Sequence, residues 1–271
     1  FELSLRWNDK IGSDFYYEVG TNMTYYNNLS VVDQSETLSD LKNPYIRRTH
    51  QTDFYGKVLI DNGLYQTPEQ ILGVPRRLQS SATKLGDIVY QDINGDGKID
   101  GEDQIRYGMP TAPHFTYGID FNFSYKGFSL SGLLYGTGKR NMEFGTTTKK
   151  GESVWVMNDY QLDYWRENNR NATFPRISTE AKVNGGNNEQ TSTFWIKNAS
   201  FLRLKNLSLE YDFKYKLLRN ANWLSTCKVN VTGTNLFTLS GVTDYFDPET
   251  ASTQGGYPTQ RVYSLGVTIG F

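Results

Sequence analysis

The sequence predicts an all-β protein whose antiparallel strands form part of a transmembrane β-barrel. Several segments alternate apolar and polar residues with a period of two, the pattern of a strand with two different faces. These segments run for about 10–12 residues, the length that a tilted membrane-crossing strand needs, whereas soluble strands average about 5–6. The connections alternate between short and long, which is typical of bacterial β-barrels. We expect about seven to nine crossing strands.

The alternating segments follow one another along the whole chain, and the apolar face of each is free of charge. They are predicted at 1–7, 15–25, 114–125, 128–134, 207–213, more weakly 226–236, and at the barrel-closing terminal segment 261–271. A charge facing lipid at the midplane would cost roughly 2–4 kcal/mol, so such faces are expected of strands that contact outer-membrane lipid. Aromatic residues near strand ends, among them Trp7 and Tyr125, fit the aromatic girdles of membrane barrels.

The connections fall into two classes of length. The short ones lie at 8–14, 126–127 and 214–225, and the long ones at 27–113, 136–201 and 240–261. If Phe271 is placed on the periplasmic side, every short connection is periplasmic and every long one is extracellular. That placement requires either no crossing or two crossings between 27 and 113, where only 54–60 has the pattern of a strand.

Composition and missing motifs exclude several classes of function. The net charge of −1 gives no indication of a nucleic-acid partner, and the single cysteine, Cys227, excludes a disulfide framework. No uncharged apolar run reaches about 18 residues, so no transmembrane helix is predicted. No nucleophile elbow, P-loop or zinc-protease motif is present, and we expect no enzymatic activity. The chain begins inside an alternating segment, so we expect a fragment whose preceding strands are missing.

The strongest local motif lies at 92–103, inside the first long connection. It fits the twelve-residue EF-hand-like calcium loop, in which oxygen ligands at fixed positions surround a hard cation. The expected Ca²⁺ ligands are the side chains of Asp92, Asn94, Asp96, Asp100 and Asp103 and the backbone carbonyl of Lys98. Asp103 stands where a longer Glu is usual, and the alternative is a metal-free turn. No helix pattern flanks the loop, which favours a stabilising clip over a calcium sensor.

A second candidate site lies in the aromatic-rich part of the second long connection. Trp155, Tyr160 and Trp165 occur there among Asn and Asp residues. Aromatic faces with a few polar neighbours suit the faces and hydroxyls of sugars. We therefore expect these three residues to contact substrate, with a self-packed loop or a contact with a partner protein as the alternatives.

Several ordered stretches resemble segments of the SusC-like TonB-dependent transporters. They are FYGKV with DNGLYQ at 54–66, GDIVYQDINGDG at 86–97 continuing to Asp103, HFTYG with SYKGF at 114–128, FLRLKNLSL at 201–209, GTNLFT with DPE at 233–249, and YP with RVYSLG at 257–266. The likeness covers essentially the whole chain. Departures are small: Thr234 stands where Gln is common, and Glu210 where Gly is common.

This resemblance implies an importer in the outer membrane of a Gram-negative bacterium of the Bacteroidota. The chain would be the C-terminal part of a barrel of roughly 22 strands. The resemblance also implies an N-terminal plug, a TonB box that contacts TonB, and a SusD-like surface lipoprotein as lid. The expected cargo is an oligosaccharide, with a peptide as the alternative. Rival interpretations are a secreted calcium-binding β-sandwich that adheres to carbohydrate and a passive porin.

Overall fold

The computed structural model describes residues 1–75, 83–145, 149, 159–177, 186–250 and 259–271. Its strands are labelled β1 to β16 in chain order. The seven long strands are β1 Glu2–Ile11, β2 Phe15–Tyr25, β9 Phe115–Tyr125, β10 Phe128–Gly138, β13 Phe201–Asp212, β14 Thr226–Thr234 and β16 Val262–Gly270. The short strands are β3 Leu29–Ser30, β4 Gln51–Thr52, β5 Gly56–Val58, β6 Asp61–Leu64, β7 Ile88–Tyr90, β8 Ile105–Tyr107, β11 Asn141–Glu143, β12 Ile196–Asn198 and β15 Thr238–Ser240. Helices are short: α1 Leu38–Lys42 and α2 Pro68–Gly73, with 3₁₀ turns at Gly101–Asp103, Asp159–Leu162 and Phe213–Tyr215.

The seven long strands form one antiparallel sheet, here called the wall. Their order is β1-β2-β9-β10-β13-β14-β16, and β15 pairs with the start of β13. This confirms the predicted all-β antiparallel fold. The structure extends three of the predicted strands, because β1 continues to Ile11, β10 continues to Gly138, and β13 begins at Phe201 instead of Leu207. No helix among the described residues is long and apolar enough to cross a membrane.

The register of the wall sorts its side chains into two faces, since residues opposite each other in neighbouring strands point the same way. One apolar row runs through Trp7, Val19, Phe121, Gly132, Leu207, Gly233 and Tyr263. The adjacent row is polar and runs through Asn8, Glu18, Asn122, Ser131, Ser208, Thr232 and Ser264. The apolar face is exposed, for example at Leu5 and Leu265, which are 58% and 74% exposed. A soluble sandwich would bury that face against a second sheet, so the sandwich interpretation is wrong.

The two classes of connection lie at opposite ends of the long strands. We call these ends the short-turn edge and the long-connection edge of the wall. At one edge, Ile11 pairs with Phe15 and Tyr125 with Phe128, which places the short turns there. The first long connection leaves from the other edge and returns to it, since the Tyr26 amide donates to the His114 carbonyl at 3.0 Å. Among its described residues no strand is longer than β6, which has four residues. The segment 54–60 therefore supplies only β5, which pairs with β8, and the described residues make no crossing there.

The long connections pack together into a second body, here called the loop layer, which comprises the described parts of 26–114, 139–200 and 235–261. Its core consists of the buried side chains of Leu59, Ile88, Tyr90, Ile99, Phe144, Phe174 and Trp195. These residues come from both of the first two long connections, so the two connections fold as one unit. Phe144 makes edge-to-face contacts with Phe174 at 5.7 Å and with Trp195 at 5.9 Å between ring centroids.

Candidate functional site in the loop layer

The predicted calcium loop folds as a series of tight turns around its own side chains. The carboxylate of Asp92 accepts the amides of Gly95 at 2.7 Å and of Gly97 at 2.8 Å. Both glycines have positive φ angles, 76° and 82°, a conformation that other residues adopt only with strain. The Gly97 amide is the main cause that holds the pKa of Asp92 below its ordinary value. The loop thus keeps the Asp92 carboxylate ionised and oriented.

The next predicted ligands also accept backbone amides within the loop. The side-chain oxygen of Asn94 accepts the Asp96 amide at 2.9 Å, and a carboxylate oxygen of Asp96 accepts the Lys98 amide at 2.9 Å. Asp100 accepts the Glu102 amide at 2.8 Å. Across the described residues, no three Asp, Glu, His or Cys side chains are grouped closely enough to hold a metal ion.

Asp103, the last predicted ligand, is completely buried and closes the loop. One carboxylate oxygen accepts the Ile93 amide at 2.9 Å and the other accepts the Asp100 amide at 2.8 Å. Ile99, which precedes Asp100, is buried in the core of the loop layer. The donors are hard oxygens of the type that Ca²⁺ prefers, and the Asp103 carboxyl group lies buried among backbone amides. The type of donor therefore suits a hard cation, although the described carboxylates are not grouped around one point, and calcium binding stays a prediction.

Two of the three predicted substrate-contacting aromatics are packed inside the loop layer. The Trp165 ring is 7% exposed and lies against Gly86, where any Cβ would overlap it, and its indole N–H donates to Gln66 at 3.0 Å. Tyr160 packs against Phe174 and Tyr245 at centroid distances of 5.5 and 5.4 Å. Trp155 lies outside the described residues. The packing matches the self-packed alternative for Tyr160 and Trp165, and substrate contact stays a prediction.

A buried ion-pair cluster, which the sequence reasoning missed, connects the wall to the loop layer. The guanidinium of Arg203 in β13 is 3% exposed and contacts Asp247 at 2.7 Å and Glu249 at 2.6 Å. Its Nε donates to Thr238 at 2.8 Å. Burial acts to raise the pKa of Asp247, but hydrogen bonds from Thr259 and Arg203 outweigh it and hold that pKa low. We call this cluster the Arg203 clamp; it fixes the 238–250 segment against β13.

A β-bulge in β13 makes the clamp possible. Leu133 of β10 pairs with Asn206, whereas the next residue, Leu134, pairs with Leu204, so Lys205 is an extra residue. The extra residue reverses the alternation, since one inserted residue exchanges the two faces of a strand. Arg203 therefore lies on the polar face opposite Tyr135. The sequence carried a signal for this bulge, because unbroken alternation would place Arg203 and Lys205 on the lipid-facing side.

Comparison with known proteins finds both sequence relatives and solved structures with a similar fold. No family model matches the chain. "TonB-dependent receptor P26" of Formosa agariphila is 27% identical over 210 residues, 69% of this chain and 20% of the relative. "TonB-dependent receptor SusC" of Bacteroides thetaiotaomicron is 25% identical over 264 residues, 96% of this chain and 22% of the relative. The chain thus spans about a fifth of the length of these curated relatives.

Solved structures match the fold over the entire chain. The "RagAB peptide transporter" has a TM-score of 0.65 and 20% identity, covering 100% of this chain and 29% of that one. The RagAB peptide importer in its closed-closed state has a TM-score of 0.67 and 21% identity, again with 29% of that chain covered. The curated relatives, the shared fold and the ordered motifs agree. The chain is similar to the SusC-like TonB-dependent receptors over nearly its whole length. Receptors of this family reside in the outer membrane of Bacteroidota, and so does this chain.

In a membrane β-barrel the polar face of the strands lines the lumen. Here Arg6 forms ion pairs with Glu18 and, at 3.2 Å, with Asp120, which joins three neighbouring strands. Lys228 pairs with Glu210 at 2.9 Å on the same polar face, in strands β13 and β14 toward the other end of the strand order. The relatives are named as receptors and transporters and not as enzymes.

A second buried ion pair stiffens the loop layer. Asp87 is completely buried and accepts Arg176 Nε at 2.7 Å, the Asn188 amide group at 3.1 Å and the Lys84 backbone amide at 2.7 Å. Asn188 in turn accepts the backbone amide of Ile88 at 2.9 Å. The pair joins segments about 90 residues apart in sequence. In the sequence, Asp87 stands out only as part of the GDI stretch at 86–88, which resembles a family motif. That stretch gives no indication that Arg176 is the partner of Asp87.

Proposed function

We propose that the whole protein imports a nutrient oligomer actively across the outer membrane. We take the cargo to be an oligosaccharide, with a peptide as the alternative. The oligosaccharide proposal rests on the aromatic and amide-rich segment around Trp155, Tyr160 and Trp165. The peptide alternative rests on the name of the RagAB peptide transporter, whose fold this chain shares.

The main support for this proposal is that one chain forms both the wall and the loop layer. The wall has an exposed apolar face and a polar face, as a barrel needs, and the loop layer covers one edge with a core of its own. A passive porin needs a wall and a water-filled lumen, but it does not need a folded layer locked by buried ion pairs. A capture surface does need one, because a ligand binds more tightly to a site that is already ordered.

In the proposed mechanism, the loop layer and a SusD-like lipoprotein enclose the cargo outside the membrane. TonB then displaces the plug and opens the lumen. No covalent bond is made or broken. In this mechanism the chain has two roles. The Asp87–Arg176 pair and the Arg203 clamp stabilise the loop layer, and the polar face of the wall gives the cargo a polar path.

Uptake measurements in the native host test this function. We expect a strain with an in-frame deletion of the gene to lose uptake of one labelled oligomer class, oligosaccharide or peptide, while monosaccharide uptake is unchanged. A strain that lacks TonB should lose the same uptake, and a surface lipoprotein should co-purify with the wild-type protein. Uptake that persists without TonB would contradict active import and favour the porin.

We also propose that the 92–103 loop binds Ca²⁺ through Asp92, Asn94, Asp96, Asp100, Asp103 and the Lys98 carbonyl. Bound calcium would cross-link these oxygens and neutralise their charge. The proposal is supported by the hard-oxygen donor set and by the buried Asp103 carboxylate. We expect Ca²⁺ to protect the loop layer of the purified protein from protease, and Asp92→Asn with Asp96→Asn to abolish that protection.

The matched control for the calcium experiment is Asp159→Asn, which removes an exposed acid of the loop layer outside the 92–103 loop. That variant should keep full protection by Ca²⁺. Equal protease resistance with Ca²⁺ and with a chelator in the wild-type protein would overturn the calcium proposal and leave the import proposal standing.

A further inference from the structure

The connection between β13 and β14 differs from the other short turns of the wall in length and charge. This segment, 213–225, is here called the anchor segment. It contains Lys214, Lys216 and Arg219 and no Asp or Glu. By contrast, the turn at 12–14 contains Asp14, which pairs with Lys126 of the neighbouring turn at 3.8 Å. The anchor segment therefore concentrates unbalanced positive charge at the short-turn edge.

The apolar side chains of the anchor segment continue the lipid-facing side of the wall. Phe213 packs edge-to-face on Tyr211, a residue of the apolar face, with ring centroids 5.0 Å apart. Trp223 stacks on Phe271 with centroids 6.1 Å apart, and Phe271 follows the apolar alternation of β16. Trp223 and Leu217 are 69% and 68% exposed. Large apolar groups exposed in this way mark a contact surface.

Internal hydrogen bonds give the anchor segment a defined shape. The Lys214 backbone amide donates to Asp212 at 2.8 Å, and its ammonium group donates to the Ala221 carbonyl at 3.0 Å. The Leu218 amide donates to the Phe213 carbonyl at 2.8 Å, and Leu224 is buried. Lys214 is thus used inside the segment. The other two cations, Lys216 and Arg219, are exposed at its surface.

We propose that the anchor segment binds the headgroup of an anionic phospholipid of the leaflet at the short-turn edge. Lys216 and Arg219 contact the phosphate, and Leu217 and Trp223 insert beside the acyl chains. Two arguments select lipid over a protein partner. The apolar surface is continuous with the lipid-facing side of the wall, and the excess of cations complements an anionic headgroup. Tryptophan at a membrane–water interface places its ring at headgroup depth, which fits the exposed Trp223.

Lipid titration of the full-length protein tests this proposal. The protein is purified in a zwitterionic detergent and titrated with phosphatidylglycerol, and lipid-bound species are counted by native mass spectrometry. Each cation near a lipid surface contributes a factor of about 5 in affinity, so Lys216→Gln with Arg219→Gln should weaken the tightest site roughly 25-fold. Phosphatidylcholine, which carries no net charge, should bind the wild-type and variant proteins equally.

The matched control is Lys42→Gln with Arg170→Gln, which removes two exposed cations from the loop layer. It should leave the phosphatidylglycerol affinity unchanged. Trp223→Phe keeps an apolar ring and should fold normally, while Trp223→Ala should weaken binding of both lipids. Equal affinity of the double variant and the wild type would overturn the proposal. So would a photo-crosslinker at position 216 that captures a protein instead of phospholipid in cells.

Discussion

The wall and the loop layer are stabilised in different ways, although one chain alternates between them. In the wall, each strand pairs with its neighbour through a continuous ladder, and one whole face is left for lipid. In the loop layer, short strands surround an aromatic core, and buried charges pair across long sequence distances, as Asp87 does with Arg176. The wall follows a local rule that repeats every two residues. The loop layer depends on particular pairs of residues.

The first prediction breaks the loop layer while leaving the wall intact. Asp87→Asn keeps the shape of the side chain but removes the buried charge that pairs with Arg176, which is 13% exposed. Removing one member of a buried pair costs about 3–5 kcal/mol, so the loop layer should open and become sensitive to protease. The heat-modifiable migration of the barrel on electrophoresis should not change. Loss of both properties together would show that the two bodies fold as one cooperative unit.

The second prediction breaks the wall. Leu207→Arg places a charge on the apolar row at the middle of the sheet, opposite Gly132 and Gly233. The free energy of unfolding from vesicles should fall by roughly 2–4 kcal/mol, because a cation then faces lipid. The neighbouring Ser208→Arg places the same charge on the polar face and is the matched control. Similar losses from both variants would contradict the assignment of the two faces.

The difference between the two bodies explains what the sequence could predict. Alternation located all seven long strands, since the face of a strand is set by its own residues. It missed the ends of β1 and β10 and the first half of β13. In β13 the cause was the change of face at Lys205, and a pair of out-of-phase cations was the available signal. In the loop layer, the turn chemistry of 92–103 was visible because it is local. The burial of Trp165 and the partners of Asp87 were not, because they depend on residues 79 and 89 positions away.

The third prediction uses low pH to weaken the Arg203 clamp while the strand pairing of the wall stays intact. The pKa of Asp247 is held below its ordinary value, so its ionised form stabilises the fold above the unfolded pKa of about 3.9. That stabilisation is lost as the pH falls through the lower folded pKa. The protection of the amides in 238–250 against hydrogen exchange, relative to the intrinsic rate at each pH, should therefore fall in acid, while the amides of β14 stay protected. In Asp247→Asn the protection of 238–250 relative to the intrinsic rate should be low already at neutral pH and should no longer change with acid in this range.

The smallest expected effect comes from an ion pair inside the wall. Lys228 and Glu210 are 2.9 Å apart, as close as many buried pairs, but their side chains are 37% and 33% exposed. Water screens such a pair, and exposed pairs contribute less than about 1 kcal/mol. Lys228→Gln should therefore change the unfolding free energy far less than Asp87→Asn, although each removes one charge from one pair. If the two losses were equal, the lumen side of the wall would be as dry as the core of the loop layer. The conclusion that strand pairing stabilises the wall and buried ion pairs stabilise the loop layer would then be wrong.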